Sequence, residues 1–317
     1  MMNKKLKLIF AGTPKFSVPT LNQLHQEGYE ISLILTQPDR KSGRGMALKP
    51  SAVKQKAIEL GLPVFQPHKL NDQDVFQKIK AENADILIVA AYGLIIPSNI
   101  LNIFNKGSYN VHASLLPSWR GAAPIHRAIE FGDKEIGVTI MSVIPRLDAG
   151  DMVRRKSVAL DKDANTGDMT NLIANLGAEL MVAVINDLND DKQLKLIKQN
   201  EKMVTYANKI NKIEAKIIWK EVTSKIIVQK INAFNPFPGV FCIFRGKIVK
   251  IWQAQISKNL EMIKPGEVAV NSQKDIIVVG TKDGCIEVNE IQLEGKRRMN
   301  AKEFISANDV NGGEIFL

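Results

Sequence analysis

Apolar and polar positions follow two different rhythms along the first half of this chain. Residues 6–10, 31–35 and 86–91 are apolar nearly throughout, and 108–112 closes a similar run, so all four read as strands covered on both faces. Between them, residues 18–28, 51–61 and 72–83 place apolar side chains at helical spacing, with a short strand at 63–65 after Gly61. Alternating strands and helices predict βαβ units around a mostly parallel sheet. Residues 137–143 read as a further strand. Residues 166–188 read as a helix, with Thr166 at its start and Asp168 in its first turn.

The rhythm changes past residue 190. Residues 187–201 are polar and Lys-rich and read as a connector, and 215–230 read as one amphipathic helix. Short β-rich runs follow at 239–245, 247–256, 267–270, 275–279 and 285–293, with Gly266, Gly280 and Gly284 between them. That spacing suggests a small β-barrel. The expected organisation is therefore a Rossmann-like α/β domain over 1–189, a connector over 190–208 and an OB-like barrel over 209–317.

Length agrees, since 317 residues suit two domains at about 150 residues each. Apolar runs such as 86–91 fall far short of the about 20 residues that span a bilayer. The basic start before residue 6 resembles a leader, but its apolar core ends within a few residues at Gly12, so a first strand in a cytoplasmic protein is expected. Cys242 and Cys285 lack ligand spacing, which points to free buried thiols and to no metal. The net charge of +10 is uneven: residues 191–317 hold 21 Lys and Arg against 14 Asp and Glu. A basic C-terminal half suits a polyanionic partner or simply a well-solvated surface.

Candidate chemistry is concentrated in one stretch. Asn110 and His112 lie two residues apart in a strand, so both side chains share a face. Residues 114–117 then break the strand, which puts the pair at a strand end, where open α/β sheets bind ligands. Asp148 and Asp151 flank Gly150 in a later turn. After the first strand, Gly12-Thr-Pro14 is no Gly-x-Gly-x-x-Gly fingerprint, no Walker loop is present, and Gly43-Arg44-Gly45 is neither. Hydride and phosphoryl transfer are thereby disfavoured. An amide, an imidazole and a carboxylate suit the attack of an amine on a small acyl group. Two donors would steady the developing oxyanion, each worth about 10²–10³ in rate, and the carboxylate would orient the imidazole. Taken singly, each residue also suits an ordinary turn or a structural hydrogen bond.

Asn110-Val-His112-Ala-Ser-Leu-Leu-Pro117, Arg120-Gly-Ala-Ala-Pro124 and Leu147-Asp148-Ala-Gly-Asp151 resemble the 10-formyltetrahydrofolate-dependent formyltransferase family. Phe10-Ala-Gly-Thr-Pro-Lys-Phe16, Thr36-Gln-Pro-Asp-Arg40, Ala90-Ala-Tyr-Gly93, Ala233-Phe-Asn-Pro236 and Gly295-Lys-Arg297 extend the likeness to its tRNA-acting members over nearly the whole chain. The resemblance implies a catalytic trio of Asn110, His112 and Asp148, with Ser114, Leu115, Leu116 and Pro117 lining the folate site. It implies 10-formyltetrahydrofolate as formyl donor and the α-amine of methionine on initiator tRNA as acceptor. In this reading residues 39–50 are an insertion that reaches the acceptor stem through Arg44, supported by Arg40, Lys41 and Lys49. Phe16 houses the methionine side chain. Lys247, Lys250, Lys296, Arg297 and Arg298 contact phosphates from the OB-like barrel. A monomer with no obligate protein partner is expected.

One departure stands out. The family usually has Gly immediately before the Leu-Asp-x-Gly-Asp segment, whereas this chain has Pro145-Arg146, which predicts a differently shaped Asp148 loop. Two alternatives stay open: a sugar-nucleotide or small-amine formyltransferase, and a non-catalytic RNA-binding protein with a decayed transferase domain.

Overall fold

The computed structural model describes residues 5–42, 46–258 and 263–317. The chain folds as two compact units, one of Met1–Pro124, Glu135–Val158 and Thr170–Ala207, the other of Ile125–Lys134, Ala159–Met169 and Asn208–Leu317. In chain order come β1 (Lys7–Gly12), α1 (Val18–Gln26), β2 (Glu30–Leu35), β3 (Arg40–Ser42), β4 (Ala47–Lys49), α2 (Ala52–Glu59) and β5 (Val64–Phe65). Next are α3 (Gln73–Ala81), β6 (Ile86–Ala90), α4 (Ser98–Leu101), β7 (Ser108–His112) and β8 (Arg120–Gly121). After α5 (Pro124–Phe131) follow β9 (Glu135–Ser142), β10 (Met152–Ala159), α6 (Thr166–Asn189) and β11 (Tyr206–Ala207).

The first unit is built on a seven-stranded sheet in the order β10-β9-β7-β6-β1-β2-β5. Strands β5, β2, β1, β6 and β7 pair in parallel, and β9 runs antiparallel to β7. The apolar runs are buried as the sequence predicts: Leu8, Ile9, Phe10 and Ala11 at the sheet centre are fully enclosed. Chain order proceeds outward from β1 on both sides, which puts the topological switch between β1 and β6. Ligands of such sheets bind beyond the carboxyl ends of the strands near that point.

Helix α6 fixes where β7 lies. Ile173, Ala174, Ala178, Met181, Val184 and Ile185 form its buried stripe. A Cβ on Gly177 would come 2.5 Å from Val111 Cγ1 and 3.2 Å from Val138 Cγ2, so glycine lets the helix backbone settle directly on β7 and β9. By length and composition alone α6 is long and apolar enough to cross a bilayer, and half of that stretch is buried in the structure. Packing against the sheet accounts for its apolar character.

The second unit contains α7 (Ser224–Ala233), β12 (Val240–Phe244), β13 (Lys247–Ile256), β14 (Val268–Val270), β15 (Ile277–Gly280), β16 (Cys285–Leu293), β17 (Met299–Asn300) and α8 (Ala301–Asn308). Its sheet is antiparallel in the order β12-β13-β16-β15-β14, with β17 added to β16. Residues 313–317 bond to both ends of this order and close it. Gly313 donates to Val268 O and accepts nothing back there, while Val268 donates to Glu314 O, both at 2.8 Å; on the other side Leu317 and Ile243 exchange backbone bonds of 2.7 and 2.8 Å. Phe316 is buried at this seam, 5.1 Å from the Phe244 ring centroid and 6.4 Å from that of Trp219. Cys242 and Cys285 are buried and unbridged, and burial pushes the Cys242 thiol far up from its ordinary value.

Residues 215–230 are not one helix. Asn211 and Glu214 form a capping box for a single 3₁₀ turn, Lys212–Ala215. Ile217 and Trp219 then bury alternate side chains, as an extended segment does, and Ile217 donates to Phe241 O. The helix proper begins at Ser224, where Thr223 caps the Ile226 N–H. The Ile-x-Trp alternation was the overlooked signal. Helices α5 and α8 and the β3–β4 hairpin also escaped the periodicity reading.

Truncating Phe316 to alanine removes the side chain at the seam. Phe316→Ala is expected to destabilise the second unit by about 3–5 kcal/mol in urea unfolding, as large-to-small core changes do. A loss below about 1 kcal/mol would show that the seam adds little to the core.

Candidate active site

Strand β7 carries Asn110 and His112 on one face, opposite the Val111 face that meets α6. His112 is buried and Asn110 half-buried, and no hydrogen bond among the described residues engages the Asn110 amide. Beyond His112 the chain turns, and Thr139 secures the turn. This residue lies opposite His112 in β9, donates to Ser114 O at 2.7 Å and accepts from Leu116 N at 3.1 Å. Ser114 Oγ donates to Ser118 O at 2.6 Å. Leu116 is wholly enclosed with Met141 and Met152 beneath the turn. Any lining by residues 114–117 is therefore left to backbone groups and to half-buried Leu115 and Pro117.

The imidazole is held between two loops. His112 Nε2 lies 3.0 Å from Trp119 O. A carbonyl only accepts, so Nε2 carries the hydrogen of this bond. On the other side, Asp148 Oδ2 is 3.6 Å from Nδ1. That separation allows charge attraction but is too long for a hydrogen bond. With Nε2 already donating, only an imidazolium can also donate toward Asp148. The same Oδ2 accepts from Gly121 N at 2.9 Å, which fixes the carboxylate.

Both loops are strained at the residue that matters. Asp148 has φ 45° and Trp119 φ 64°. A left-handed backbone costs a residue with a Cβ roughly 1–2 kcal/mol, least for Asp and Asn. In this loop Asp148 itself takes the left-handed turn, while Arg146 keeps an ordinary backbone. At the neck of this loop a Cβ on Gly150 would lie 1.8 Å from Ser142 O, so no side chain fits there.

The connector read from its polar composition holds these loops from behind. Fully buried Arg120 donates through Nε to Gln199 Oε1 at 3.0 Å and through Nη2 to Glu201 Oε1 at 3.0 Å. Glu201 also pairs with Arg146. Hydrogen bonds from Arg120 and Arg146 hold its carboxyl below the usual range. Strand β11 pairs with β8, and Thr205 Oγ1 accepts from Trp119 N at 2.9 Å. Thr139, Gln199 and the Gly121 amide were not picked out from the sequence.

Of the other expected residues, Phe16 is half-buried after β1. Arg40 and Lys49 are cross-strand partners in the exposed β3–β4 hairpin, with Lys41 opposite Leu48. Arg44 lies outside the described residues. The hairpin base is tied down at Asp39, whose carboxyl Lys54 and Gln66 hold below the usual range. In the second unit, Arg298 stacks 3.7 Å from the Trp252 centroid and Lys250 5.3 Å from it. Burial, with Lys212 and Arg298 nearby, pulls the Lys250 ammonium down from its ordinary value. Lys247 and Lys296 are exposed, whereas Arg297 pairs with Glu303 and Arg298 with Glu290. No group of three His, Cys, Asp or Glu among the described residues is placed to hold a metal.

Comparison with known proteins gives the chain's relatives. A family model described as formyl transferase covers residues 4–185, and one described as formyl transferase, C-terminal domain, covers 209–309. A methionyl-tRNA formyltransferase of Methylobacillus flagellatus is 46% identical over 312 residues, 98% of this chain and 99% of that one. One from Neisseria gonorrhoeae is 43% identical over 309 residues, 97% and 99% of the two chains. Among solved structures, Aquifex aeolicus HypX in complex with tetrahydrofolic acid superposes with a TM-score of 0.65 at 17% identity. That match covers 98% of this chain and 49% of HypX, about half its length. WlaRD, a sugar 3N-formyl transferase, gives 0.65 at 18% identity, covering 93% and 100%. At such identities the likeness is one of fold. With both family models in register along the chain and close relatives matched end to end, this chain belongs to the methionyl-tRNA formyltransferase family.

Proposed function

We propose that this enzyme transfers the formyl group of 10-formyltetrahydrofolate to the α-amine of methionine on initiator tRNA, and so supports translation initiation in the cytoplasm. The observation that carries the reading is the grouping of an unengaged Asn110 amide, His112 and Asp148 at the carboxyl end of β7. Those donors fit a small carbonyl group, and the folate supplies that carbonyl. Asn110 donates toward the formyl oxygen as negative charge builds on it, joined by the His112 Nε2–H once it turns from the Trp119 carbonyl to the formyl oxygen. Asp148 keeps the imidazole oriented and receives, directly or through a water, the proton that the attacking amine sheds. The new C–N bond forms as the bond to folate N10 breaks, and N10 takes up a proton. An amine is nucleophile enough, so no protein nucleophile intervenes.

The rest of the assignment follows the same reading. Residues 1–189 form the catalytic domain, 190–208 the connector and 209–317 the tRNA-holding domain. Folate lies along residues 114–117, with Leu115 and Pro117 presenting side chains, and methionine lies toward Phe16. The hairpin reaches the acceptor stem through Arg44, Arg40, Lys41 and Lys49. Lys247, Lys250, Lys296, Arg297 and Arg298 meet phosphates, and the enzyme acts as a monomer without a metal. RNA of this kind is read by shape and by its single-stranded end. A sugar-nucleotide acceptor would leave the basic hairpin and the basic second unit without a use.

The direct test is transfer of radiolabelled formyl to methionylated initiator tRNA, with methionylated elongator tRNA alongside. Label on the initiator alone is expected; label on neither, with sugar-nucleotide amines accepting it, would overturn the acceptor assignment. His112→Ala should abolish transfer and leave tRNA affinity within about twofold, on the expectation that each oxyanion donor contributes about 10²–10³ to rate rather than to binding. Arg44→Ala should raise KM for tRNA far more than it weakens folate binding, and equal losses would remove the hairpin from the interface. Rising salt should raise KM for tRNA steeply, because phosphate contacts release counterions. A salt-independent KM would mean that the basic surface does not hold RNA.

A further inference from the structure

The catalytic loop is anchored by a side chain from a segment that composition marks only as a connector. Gln199 is 9% exposed, and its amide makes three hydrogen bonds. Nε2 donates to Asp148 O and to Gly150 O, both at 2.8 Å, and Oε1 accepts from Arg120 Nε at 3.0 Å. Arg only donates and the two carbonyls only accept, so a single amide orientation satisfies all three. The first carbonyl belongs to the left-handed Asp148 itself, whose φ of 45° its own side chain disfavours. The second belongs to Gly150 at the neck, where the chain lies against Ser142.

We propose that Gln199 is a positioning residue for formyl transfer: its two donors lock the Asp148 backbone in the left-handed turn that aims the carboxylate at His112. This rests on the proposed role of Asp148. Without the donors, two carbonyls, the Gly150 one buried, lose their partner and the turn relaxes toward an ordinary backbone. Oδ2 then leaves the Gly121 amide and the imidazole edge, while the folate turn at 114–117, secured separately by Thr139, keeps its shape. Displacing a catalytic group by about 1 Å can cost about 10²-fold in rate. The loss therefore falls on kcat and leaves both KM values near wild type.

Gln199→Glu is the discriminating variant. It keeps an acceptor for the buried Arg120 guanidinium and exchanges the two donors for a carboxylate oxygen, whose added negative charge faces that guanidinium. Gln199→Met serves as a second variant of similar length should the first not fold. The expected result is a fall in kcat of about 10²-fold with KM for folate and tRNA within about twofold. In an Asp148→Asn background the same change should add less than about threefold, because effects through one residue do not multiply. Amide exchange over residues 146–151 should accelerate, with the β7 amides unchanged. A full multiplicative loss in the double variant, a kcat near wild type, or unaltered exchange over 146–151 would overturn the proposal. If the wild-type protein formylates no amine, the reading of the site fails instead, and the exchange measurement alone still decides what Gln199 holds.

Discussion

Arg120 carries a permanent charge at a position with no solvent exposure, and much of the first unit is arranged around neutralising it. A buried guanidinium without a partner costs several kcal/mol, so its bonds to Gln199 and Glu201 are obligatory once the residue is enclosed. Those bonds draw residues 199–207 against the back of the two loops that hold the imidazole. From there Thr205 supports Trp119, which holds His112, and Gln199 supports Asp148. One enclosed charge thereby ties together the two strained turns that face each other across the imidazole. A pair that merely sat at the surface, such as Arg146 with Glu201, could not impose that order, since exposed ion pairs contribute about 0–1 kcal/mol.

The sequence made the sheet and the trio legible for different reasons. Residues 7–12 and 86–90 are buried on both faces, so composition alone marks them as central strands. Asn110 and His112 stood out because period-two spacing puts them on one face just before a chain break. What stayed hidden depends on contacts between distant segments. Gln199 looks like one more polar residue in a Lys-rich stretch, and only the carbonyls of Asp148 and Gly150 give it a task. Thr139 sits inside a strand where threonine is unremarkable. The left-handed backbone at Asp148 was not read from the sequence, since no glycine stands there to mark it. Residues 215–230 misled for a local reason: a 3₁₀ turn, an extended piece and a helix together imitate one amphipathic period.

Charge in the second unit is less free than its excess suggests. Arg297 and Arg298 are engaged by Glu303 and Glu290, and Arg245 by Glu314. Trp252 collects Lys250 and Arg298 on its ring system, with Gly239 close enough that a Cβ would meet the indole at 2.5 Å. Stacking of this kind restricts the side-chain freedom of both cations.

The two buried thiols have a practical consequence. Thiol reagents attack thiolate, and burial both blocks access and keeps the Cys242 sulfur protonated. Both cysteines of the folded chain are thus expected to react slowly with maleimides. A single cysteine placed on the exposed β3–β4 hairpin would accept a fluorophore selectively, and its movement could then be followed in real time on an otherwise unaltered protein.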